Sequence, residues 1–418
     1  MVTGGPEGDE ATGGPEQEEL GMHHRIVIVG GGSAGISVAA RLLRAGENDV
    51  AIVDPAADHY YQPLWTLVGG GVESIERSRR LQSTVMPKGV RWLQDAAVEI
   101  DPDTRQVTTA SGARLGYDAL VLCTGIEMAW DLVPGLAEAV ATPFAASNYT
   151  AELAPKTWEL VRRFRGGHAV FAAPGSPIKC PGAPQKAAYL ACDHWQRTGV
   201  RANAEVTFAT GAGGIFGVPE FARVLETVVA RYGIDTRFSS ELVEVDPGAR
   251  EAVFETSGPE GKQRTSIPYD LLHAAPPQRA PAFVREGPLA GSSPFGWVPV
   301  DRHTLRHVTY PEVFCLGDVC DAPTSKTGAA VRRQAPVVVA NLLAGLAGRP
   351  PVARYDGSAA CPFTTARGKV LLAEFDYSLA PRPSIPFIDT TKERTDMWLL
   401  KRYGLPAYYW RVMLRGLD

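Results

Sequence analysis

A glycine-rich turn, Gly30–Gly35 (GGGSAG), restricts the possible folds of this chain more than any other segment. It follows a β-branched run that begins at His24, and it precedes a stretch of helical composition. In such a strand–turn–helix unit the first glycine of G-x-G-x-x-G allows a tight turn, the second lets a pyrophosphate approach the backbone, and the third lets helix and strand pack closely. The sequence therefore predicts a dinucleotide-binding βαβ unit, with Gly30, Gly32 and Gly35 in these roles.

The residues around this turn supply the other expected contacts to a dinucleotide. Ser33 and Ala34 open the helix, whose free N–H groups and positive dipole end favour a phosphate. A second apolar strand ends at Asp54, nineteen residues after Gly35, where a ribose-binding carboxylate belongs. We therefore expect Ser33, Ala34 and Asp54 to bind the cofactor.

Strand-like and helix-like segments alternate along the 418 residues, which are too many for one small core. A second α/β set is predicted, with strands at 168–173 and 205–210 and helices at 183–197 and 219–232. A later strand that ends at Asp318 would rejoin the first unit. The predicted fold class is α/β, with two Rossmann-like dinucleotide-binding domains, the second inserted into the first, and a C-terminal membrane-surface segment.

The predicted domain boundaries divide the chain into four parts. They are a disordered acidic tail at 1–22, a first domain at 23–146 and 296–350, a second domain at 147–295, and a C-terminal region at 351–418. The tail has six acids and no Lys or Arg, the opposite of a secretory signal. The tail contributes −6 to the formal net charge of −4, so the rest of the chain carries +2. The acidic net charge of the whole chain therefore says little about its partners. The longest apolar runs are strand-sized, so no membrane-spanning helix is expected.

Two later strand ends favour FAD over NAD in the first domain. Thr124-Gly125 closes one strand, and Gly317-Asp318 closes another, where a carboxylate can reach a flavin ribityl chain. A helix capped by Thr324 or Ser325 would then present its positive end, with Lys326, to a reduced flavin; the alternative is a capped helix with a solvated lysine. The further expected FAD contacts are Gln62 and Val98 and, from these later segments, Thr124, Gly125, Gly317, Asp318 and Lys326.

The second α/β unit has its own glycine-rich segment, Thr210–Gly217. Phe216 stands where the third glycine of the fingerprint belongs, and the strand region at 234–238 ends without an obvious acid. We interpret this unit as one that kept the fold and lost a nicotinamide site.

The six cysteines form no C-x-x-C pair, so no metal site and no disulfide scaffold of a secreted protein is expected. Cys180 lies in a Pro/Gly loop before a helix and beside Lys179, and both features favour a thiolate. Cys320 lies two residues after Asp318, beside the expected flavin. Cys180 and Cys320 are either a redox pair at the flavin or two unrelated thiols. Of the other four cysteines, Cys123 and Cys315 lie in apolar strands and are expected to be buried. Cys192 lies in the middle of a predicted helix, and the role of Cys361 is left undecided.

Six segments resemble the sulfide:quinone oxidoreductases of mitochondria and related bacteria, within the two-dinucleotide-domain flavoproteins. The segments are Tyr60–Gly69 (YYQPLWTLVG), Pro177–Lys186 (PIKCPGAPQK), Gly214–Val218 (GIFGV), Leu316–Thr327 (LGDVCDAPTSKT), Leu372–Tyr377 (LAEFDY) and Tyr409–Gly416 (YWRVMLRG). The resemblance covers nearly all of residues 24–418.

The resemblance implies a cysteine pair that reacts at the flavin. Sulfide attacks a disulfide, which leaves a persulfide and a thiolate, and electrons pass through FAD to a membrane quinone while a small acceptor removes the sulfane sulfur. Cys180 matches the first cysteine of the family. The second is expected directly after Gly317-Asp318, where this chain has Val319, so Cys320, one residue later, is assigned that role.

The resemblance also implies a quinone site and a membrane surface at the basic, aromatic segment 392–418. The candidate quinone residues are Phe375, Tyr377, Tyr408 and Trp410, with ordinary core aromatics as the alternative. The expected place is the cytoplasmic face of a bacterial inner membrane, without a nucleic-acid partner and with a homodimer left open. Two other functions are kept: a type II NADH:quinone dehydrogenase, and a persulfide-handling flavoprotein without sulfide:quinone turnover.

Overall fold

The computed structural model describes residues 22–258, 261–385 and 387–418, so residues 1–21 of the expected acidic tail lie outside the described residues. Its helices are α1 (Ser33–Arg44), α2 (Trp65–Gly69), α3 (Gln82–Val85), α4 (Leu136–Ala141), α5 (Leu153–Arg163), α6 (Ala183–Thr198), α7 (Pro219–Tyr232), α8 (Ala282–Arg285), α9 (Gly328–Leu346), α10 (Thr395–Leu399) and α11 (Leu405–Arg411). Its strands are β1 (Met22–Val29), β2 (Val50–Val53), β3 (Asp58–Tyr60), β4 (Arg79–Leu81), β5 (Arg91–Leu93), β6 (Ala97–Asp101), β7 (Gln106–Thr109), β8 (Arg114–Leu122), β9 (Glu127–Met128), β10 (Ala145–Ala146), β11 (Gly167–Ala173), β12 (Ala204–Thr210), β13 (Asp235–Arg237), β14 (Ser240–Asp246), β15 (Glu251–Gly258), β16 (Gly261–Pro268), β17 (Leu271–Ala274), β18 (Gln278–Arg279), β19 (Val313–Cys315), β20 (Ala359–Ala366) and β21 (Lys369–Phe375).

The first sheet has the order β5-β2-β1-β8-β7-β6, with β19 also paired to β8. Its central strands are parallel, since Ile28 of β1 is in register with Ile52 of β2 and with Val121 of β8. Both faces of such a sheet are covered, so its strands read as continuous apolar runs rather than alternating ones. The four residues 26–29 are accordingly all buried. The Gly30–Gly35 turn therefore follows a buried central strand of this sheet.

The second sheet lies between β8 and β19 in the chain and has the parallel order β10-β17-β11-β12-β13. Strand β19 then returns to the first sheet beside β8, which confirms the α/β fold with one unit inserted into the other. Strand β10, at 145–146, already pairs with β17 of the second sheet. The boundaries at 146/147, 295/296 and 350/351 stay predictions.

The order of the second sheet shows which loop begins its α/β repeat. Strand β11 lies between β12 and β17, so it has the position of the first strand of a Rossmann unit. The turn after that first strand is the one that holds a pyrophosphate, and here it is the loop 174–182, which contains Cys180. The sequence interpretation placed the degenerate glycine turn at Thr210–Gly217, which follows the second strand, β12. That assignment is corrected here.

The C-terminal region packs onto the first unit. The β20–β21 hairpin is followed by α10, a π-helical turn at Leu400–Gly404, α11 and a 3-10 turn at Met413–Arg415. Tyr409 and Leu414 are buried in the same core as residues of α1, and Asp418 pairs with Arg41 of that helix. Among the described residues, no helix is long and apolar enough to cross a membrane.

Replacement of Gly35 by alanine is expected to lower the free energy of unfolding by about 3 kcal/mol, because a methyl group there overlaps the Gly30 carbonyl where α1 crosses β1. Gly345→Ala is the matched control, since its Cβ would have no atom within 4 Å on an exposed part of α9. The control is expected to stay within about 1 kcal/mol of the wild type or to be more stable. Thermal and urea unfolding of both variants measure the difference, and equal stabilities would contradict the packing argument.

Candidate functional site

The glycine turn is closed on its inner side and open on its outer side. Gly30 has φ +108°, and a Cβ on it would lie 2.5 Å from the Cys123 carbonyl oxygen, so only glycine fits there. A Cβ on Gly32, by contrast, would meet no atom within 4 Å. The open side faces away from the core at the N-terminus of α1, which is the geometry that a pyrophosphate needs.

The Asp54 carboxylate holds the turn from the side. Its Oδ2 accepts the N–H of Gly31 at 2.6 Å and its Oδ1 accepts the N–H of Ala56 at 2.9 Å. Burial raises the pKa of Asp54, although these two hydrogen bonds act in the opposite direction. Gln82, which the sequence reasoning missed, donates from Nε2 to the Gly31 carbonyl at 2.7 Å. Asp54 thus shapes the turn, and its contact with a ribose stays a prediction.

Polar groups beside this turn fit FAD. Among the described residues, the buried Oγ1 of Thr124 has no hydrogen-bond partner, and Gly125 next to it has φ +71°. Gly317 has φ +78°, and burial raises the pKa of the Asp318 carboxyl that follows it. A flavin ribityl chain is rich in hydroxyls and pairs well with such groups.

Helix α9 begins beside these groups. It begins at Gly328, and the Thr327 hydroxyl, rather than Thr324 or Ser325 as expected, accepts the N–H of Ala330 at 3.2 Å. This capped N-terminus adds a positive dipole end to the same region. The predicted FAD site therefore has an open phosphate turn, an unpaired hydroxyl and a helix dipole.

Lys326 is not a solvated lysine. Its Nζ donates to the carbonyl oxygens of Asp318 and Cys320, each at 2.7 Å, and lies 4.0 Å from the ring centre of Trp297. Burial lowers the pKa of Lys326. The side chain therefore braces the Gly317–Cys320 loop, and its effect on a flavin stays a prediction.

Gln62 and Val98 have different surroundings. The Gln62 Oε1 accepts a hydrogen bond from Lys179 Nζ at 2.7 Å, which connects the 3-10 turn at Gln62–Leu64, just before α2, to the cysteine loop. Val98 lies on β6 at the irregularity between Ala97 and Glu99 and is 47% exposed. Both remain predicted cofactor contacts.

Cys180 is held in an uncommon backbone conformation by both α/β units. Its φ is +46°, in the left-handed region that non-glycine residues seldom adopt. Its N–H donates to the Lys326 carbonyl at 2.8 Å, and its carbonyl accepts the Tyr149 hydroxyl at 3.1 Å. A parallel bridge between Lys179 and Lys326 extends the connection. The loop of the second unit is thereby fastened beside the expected flavin.

The structure brings Cys361, rather than the expected Cys320, to the Cys180 loop, and the redox role of these cysteines stays a prediction. Cys361, on β20, is buried in the cluster against which Cys180 packs, and the interaction between the two thiols lowers the pKa of Cys180 and raises that of Cys361. Cys320 is buried beside Cys315 and accepts the N–H of Ala322 at 3.3 Å. The Gly317 turn directs Cys320 into the core, whereas the hairpin brings Cys361 over the cysteine loop. No local sequence signal marks Cys361, because it lies within an ordinary strand.

Cys123 and Cys315 are buried, as expected, and Cys192 is buried in α6. Burial raises the pKa of the Cys123 thiol. These cysteines are therefore poor nucleophiles.

Two buried lysines surround the thiol pair. Lys186 of α6 places Nζ 3.1 Å from the Cys180 Sγ, and Lys401 of the π-helical turn contributes a second cation. The Cys361 hydrogen bond, and then the Lys186 cation, hold the pKa of Cys180 well below its usual range against the cost of burial. The same hydrogen bond, with burial, raises the pKa of Cys361. Cys180 is therefore the more acidic thiol of the two.

The pKa values of two lysines near the thiols, Lys401 and Lys179, are lowered by their buried environment. Burial, followed by the neighbouring Lys186 charge, lowers the pKa of Lys401 to about 7. Burial lowers the pKa of Lys179 to about 8. Lys401 also donates to the Pro362 carbonyl at 3.2 Å, next to Cys361. Sequence reasoning missed Lys186 and Lys401, because only the fold brings α6 and the C-terminal turn to the same thiol.

The four quinone candidates have different neighbours. Phe375 is buried 5.6 Å from Phe216, ring centre to ring centre, in an aromatic group beside Cys361. Tyr377 donates to the Arg302 carbonyl at 2.7 Å, and Tyr408 bonds to Asp418 at 2.5 Å. Trp410 packs edge-on against Tyr409 at 4.9 Å. The quinone assignments stay predictions, with Phe375 nearest the thiols.

Residues 22–258, 261–385 and 387–418 contain no group of three or more His, Cys, Asp or Glu side chains arranged to hold a metal ion.

The chain is similar to known proteins over nearly its whole length. Residues 24–161 match the family described as pyridine nucleotide-disulphide oxidoreductase. The chain is 40% identical over 395 residues to the mitochondrial sulfide:quinone oxidoreductase of Mus musculus, covering 94% of this chain and 87% of that protein. It is 40% identical over 404 residues to the mitochondrial sulfide:quinone oxidoreductase of Dictyostelium discoideum, covering 96% and 88%.

Its fold is also similar to a solved structure. The X-ray structure of the sulfide:quinone oxidoreductase from Aquifex aeolicus superposes with a TM-score of 0.78 at 22% identity, covering 95% of this chain and 92% of that one. That likeness concerns the fold, while the identities above concern the sequence of both units and the C-terminal region. The chain therefore belongs to the sulfide:quinone oxidoreductase family of FAD-binding flavoproteins.

Proposed function

We propose that this protein oxidises sulfide to sulfane sulfur at the Cys180–Cys361 pair and passes the electrons through FAD to a membrane quinone. The observation that carries the proposal is the position of Cys361 at the cysteine loop, where a Cβ on Gly182 would lie 2.9 Å from the Cys361 Sγ, together with the Lys186 ammonium 3.1 Å from the Cys180 sulfur. A dithiol beside a cation is the reduced form of a disulfide that a nucleophile can open.

The reaction starts from the Cys180–Cys361 disulfide. Hydrosulfide forms a bond to one cysteine sulfur and breaks the S–S bond, which leaves a persulfide on that cysteine and a thiolate on the other. Transfer of the outer sulfur to a small nucleophilic acceptor leaves two thiols. Reoxidation of these thiols to the disulfide releases two electrons and two protons. The chemistry that bound FAD supplies is the acceptance of these electrons and their delivery to quinone.

The protein groups favour the charged leaving group. Lys186 and Lys401 offset the negative charge that appears when the disulfide opens, which lowers the pKa of the leaving thiol and speeds exchange. Because Lys401 has a pKa of about 7, it can also hold or release a proton in the neutral range. The Lys326 carbonyl and the Tyr149 hydroxyl keep the Cys180 backbone in its left-handed conformation while the thiol reacts.

The type II NADH:quinone dehydrogenase alternative is less well supported. The loop 174–182 occupies the place where the pyrophosphate of a nicotinamide cofactor would bind, and it carries Cys180. The Glu241 carboxylate accepts the N–H of Gly175 in that loop at 2.8 Å, so an anionic group already uses one of its donors. A phosphate there would meet this carboxylate.

The remaining partners are part of the proposal. We infer association with one membrane surface through residues 392–418, a small nucleophile as sulfur acceptor, and a homodimer as an option for assembly. The cytoplasmic face of a bacterial inner membrane stays a prediction, since the curated relatives compared above are named as mitochondrial.

Replacement of Cys361 by serine is expected to lower the rate of flavin bleaching by sulfide at least 100-fold, on the order of the loss of a catalytic nucleophile. Cys320→Ser is the matched control, because Cys320 is also buried but contacts Cys315 instead of Cys180. Anaerobic stopped-flow at the flavin band measures both variants, with decylubiquinone added to test reoxidation. The proposal fails if the Cys320 variant loses bleaching and the Cys361 variant keeps it.

Replacement of Lys186 by methionine is expected to raise the pKa of the Cys180 thiol toward the ordinary thiol value of about 8.5, because the adjacent cation is removed. Alkylation of the reduced protein by iodoacetamide, followed at Cys180 by mass spectrometry between pH 5 and 9, should then shift to higher pH. Lys369→Met, on an exposed position of β21, is the control and should leave the profile unchanged. An unshifted profile for the Lys186 variant would show that Lys186 does not stabilise the thiolate.

A further inference from the structure

A basic groove of about 560 Å³ lies apart from the thiol pair, between β4, α3 and the C-terminal end of the chain. Four of its lining residues are Arg79, Arg80, Arg411 and Arg415, and no acidic residue lines it. The two pairs of arginines come from positions more than 300 residues apart in the sequence. The fold therefore concentrates positive charge that the sequence keeps separate.

Most of this charge is uncompensated. Arg79 pairs with Asp58 at 2.8 Å, whereas Arg80, Arg411 and Arg415 take part in no ion pair within the described ranges. Arg80 lies over the Trp410 ring, 5.2 Å from its centre, which leaves its guanidinium edge available. Guanidinium groups bind phosphate oxygens through paired N–H donors, so a phosphate is the anion that this set matches best.

Apolar side chains next to these arginines distinguish the groove from a site for a small dissolved anion. Leu81, 55% exposed, and Trp410 line it together with the arginines. The same C-terminal segment exposes Tyr403 at 46% and Leu417 at 51%. Arginine, tryptophan and exposed leucine together are typical of surfaces that lie at the headgroup level of a bilayer.

We propose that this groove binds the phosphodiester headgroup of an anionic membrane phospholipid. Arg80, Arg411 and Arg415 pair with the phosphate, and Leu81 lies toward the acyl chains. This inference rests on the proposed function, because a quinone has to reach the protein from a bilayer. It adds a lipid preference and a fixed contact point beside the C-terminal segment.

The test uses the flavin-loaded full chain and two kinds of vesicle, one of phosphatidylcholine and one with phosphatidylglycerol added. The wild type is expected to sediment preferentially with the anionic vesicles and to lose this preference as salt rises. Arg411→Gln with Arg415→Gln should weaken binding to the anionic vesicles about 25-fold, at about fivefold for each arginine. Arg223→Gln with Arg349→Gln, two exposed arginines outside the groove, is the control and should bind like the wild type.

Several outcomes overturn the proposal. They are equal binding of the wild type to both vesicles, unchanged binding of the Arg411/Arg415 variant, and displacement from the vesicles by inorganic phosphate at matched ionic strength, which would indicate a small-anion site. Loss of flavin absorbance per protein in the variant would assign the groove to the cofactor instead. If the double variant does not fold, Arg80→Gln is tested alone.

The readouts separate this inference from the proposed function. Bleaching of the flavin by sulfide is measured in detergent, without vesicles, and should be unchanged in the Arg411/Arg415 variant. If sulfide fails to bleach the wild type, the proposed function is wrong while the vesicle result still stands.

Discussion

The backbone hydrogen bond from the Cys180 N–H to the Lys326 carbonyl, at 2.8 Å, is the contact on which the site depends. It joins the first loop of the second α/β unit to the loop that precedes α9 in the first unit. Together with the hydrogen bond from the Tyr149 hydroxyl to the Cys180 carbonyl, it holds the left-handed backbone of Cys180, whose φ is +46°. A strained residue of this kind persists only where its surroundings hold it from several sides. Here the two units together supply that hold.

The C-terminal region completes the site from a third direction. The β20–β21 hairpin brings Cys361 to Cys180, and the π-helical turn brings Lys401. Burying lysine side chains is costly unless they are paired, and here the Cys180 sulfur partners Lys186 while the Pro362 carbonyl accepts a hydrogen bond from Lys401. A π-helical turn exposes backbone positions that an α-helix does not, and such turns are frequent at functional sites. The C-terminal region therefore contributes Arg411 and Arg415 to the basic groove and Cys361 and Lys401 to the thiol site.

The second α/β unit has the strand order of a dinucleotide-binding unit but a different loop at the expected phosphate position. The turn at the end of β11 presents a cysteine instead of a glycine cradle. Phe216, which breaks the glycine pattern of the neighbouring turn, packs against Phe363 at 5.0 Å and Phe375 at 5.6 Å. The residues that depart from the cofactor pattern thus support the hairpin that holds Cys361.

The sequence by itself determined the local features: the strand–turn–helix unit at Gly30–Gly35, the inserted second unit, the FAD cofactor and the Pro/Gly loop that carries Cys180. Each depends on residues close together in the chain, where spacing and backbone preference act directly. Only the tertiary structure decided which cysteine meets Cys180. Cys320 and Cys361 are both far from it in sequence, and sequence spacing does not show which way a turn points a side chain. The Gly317 turn buries one and the hairpin delivers the other, because packing of distant segments sets the distance between thiols.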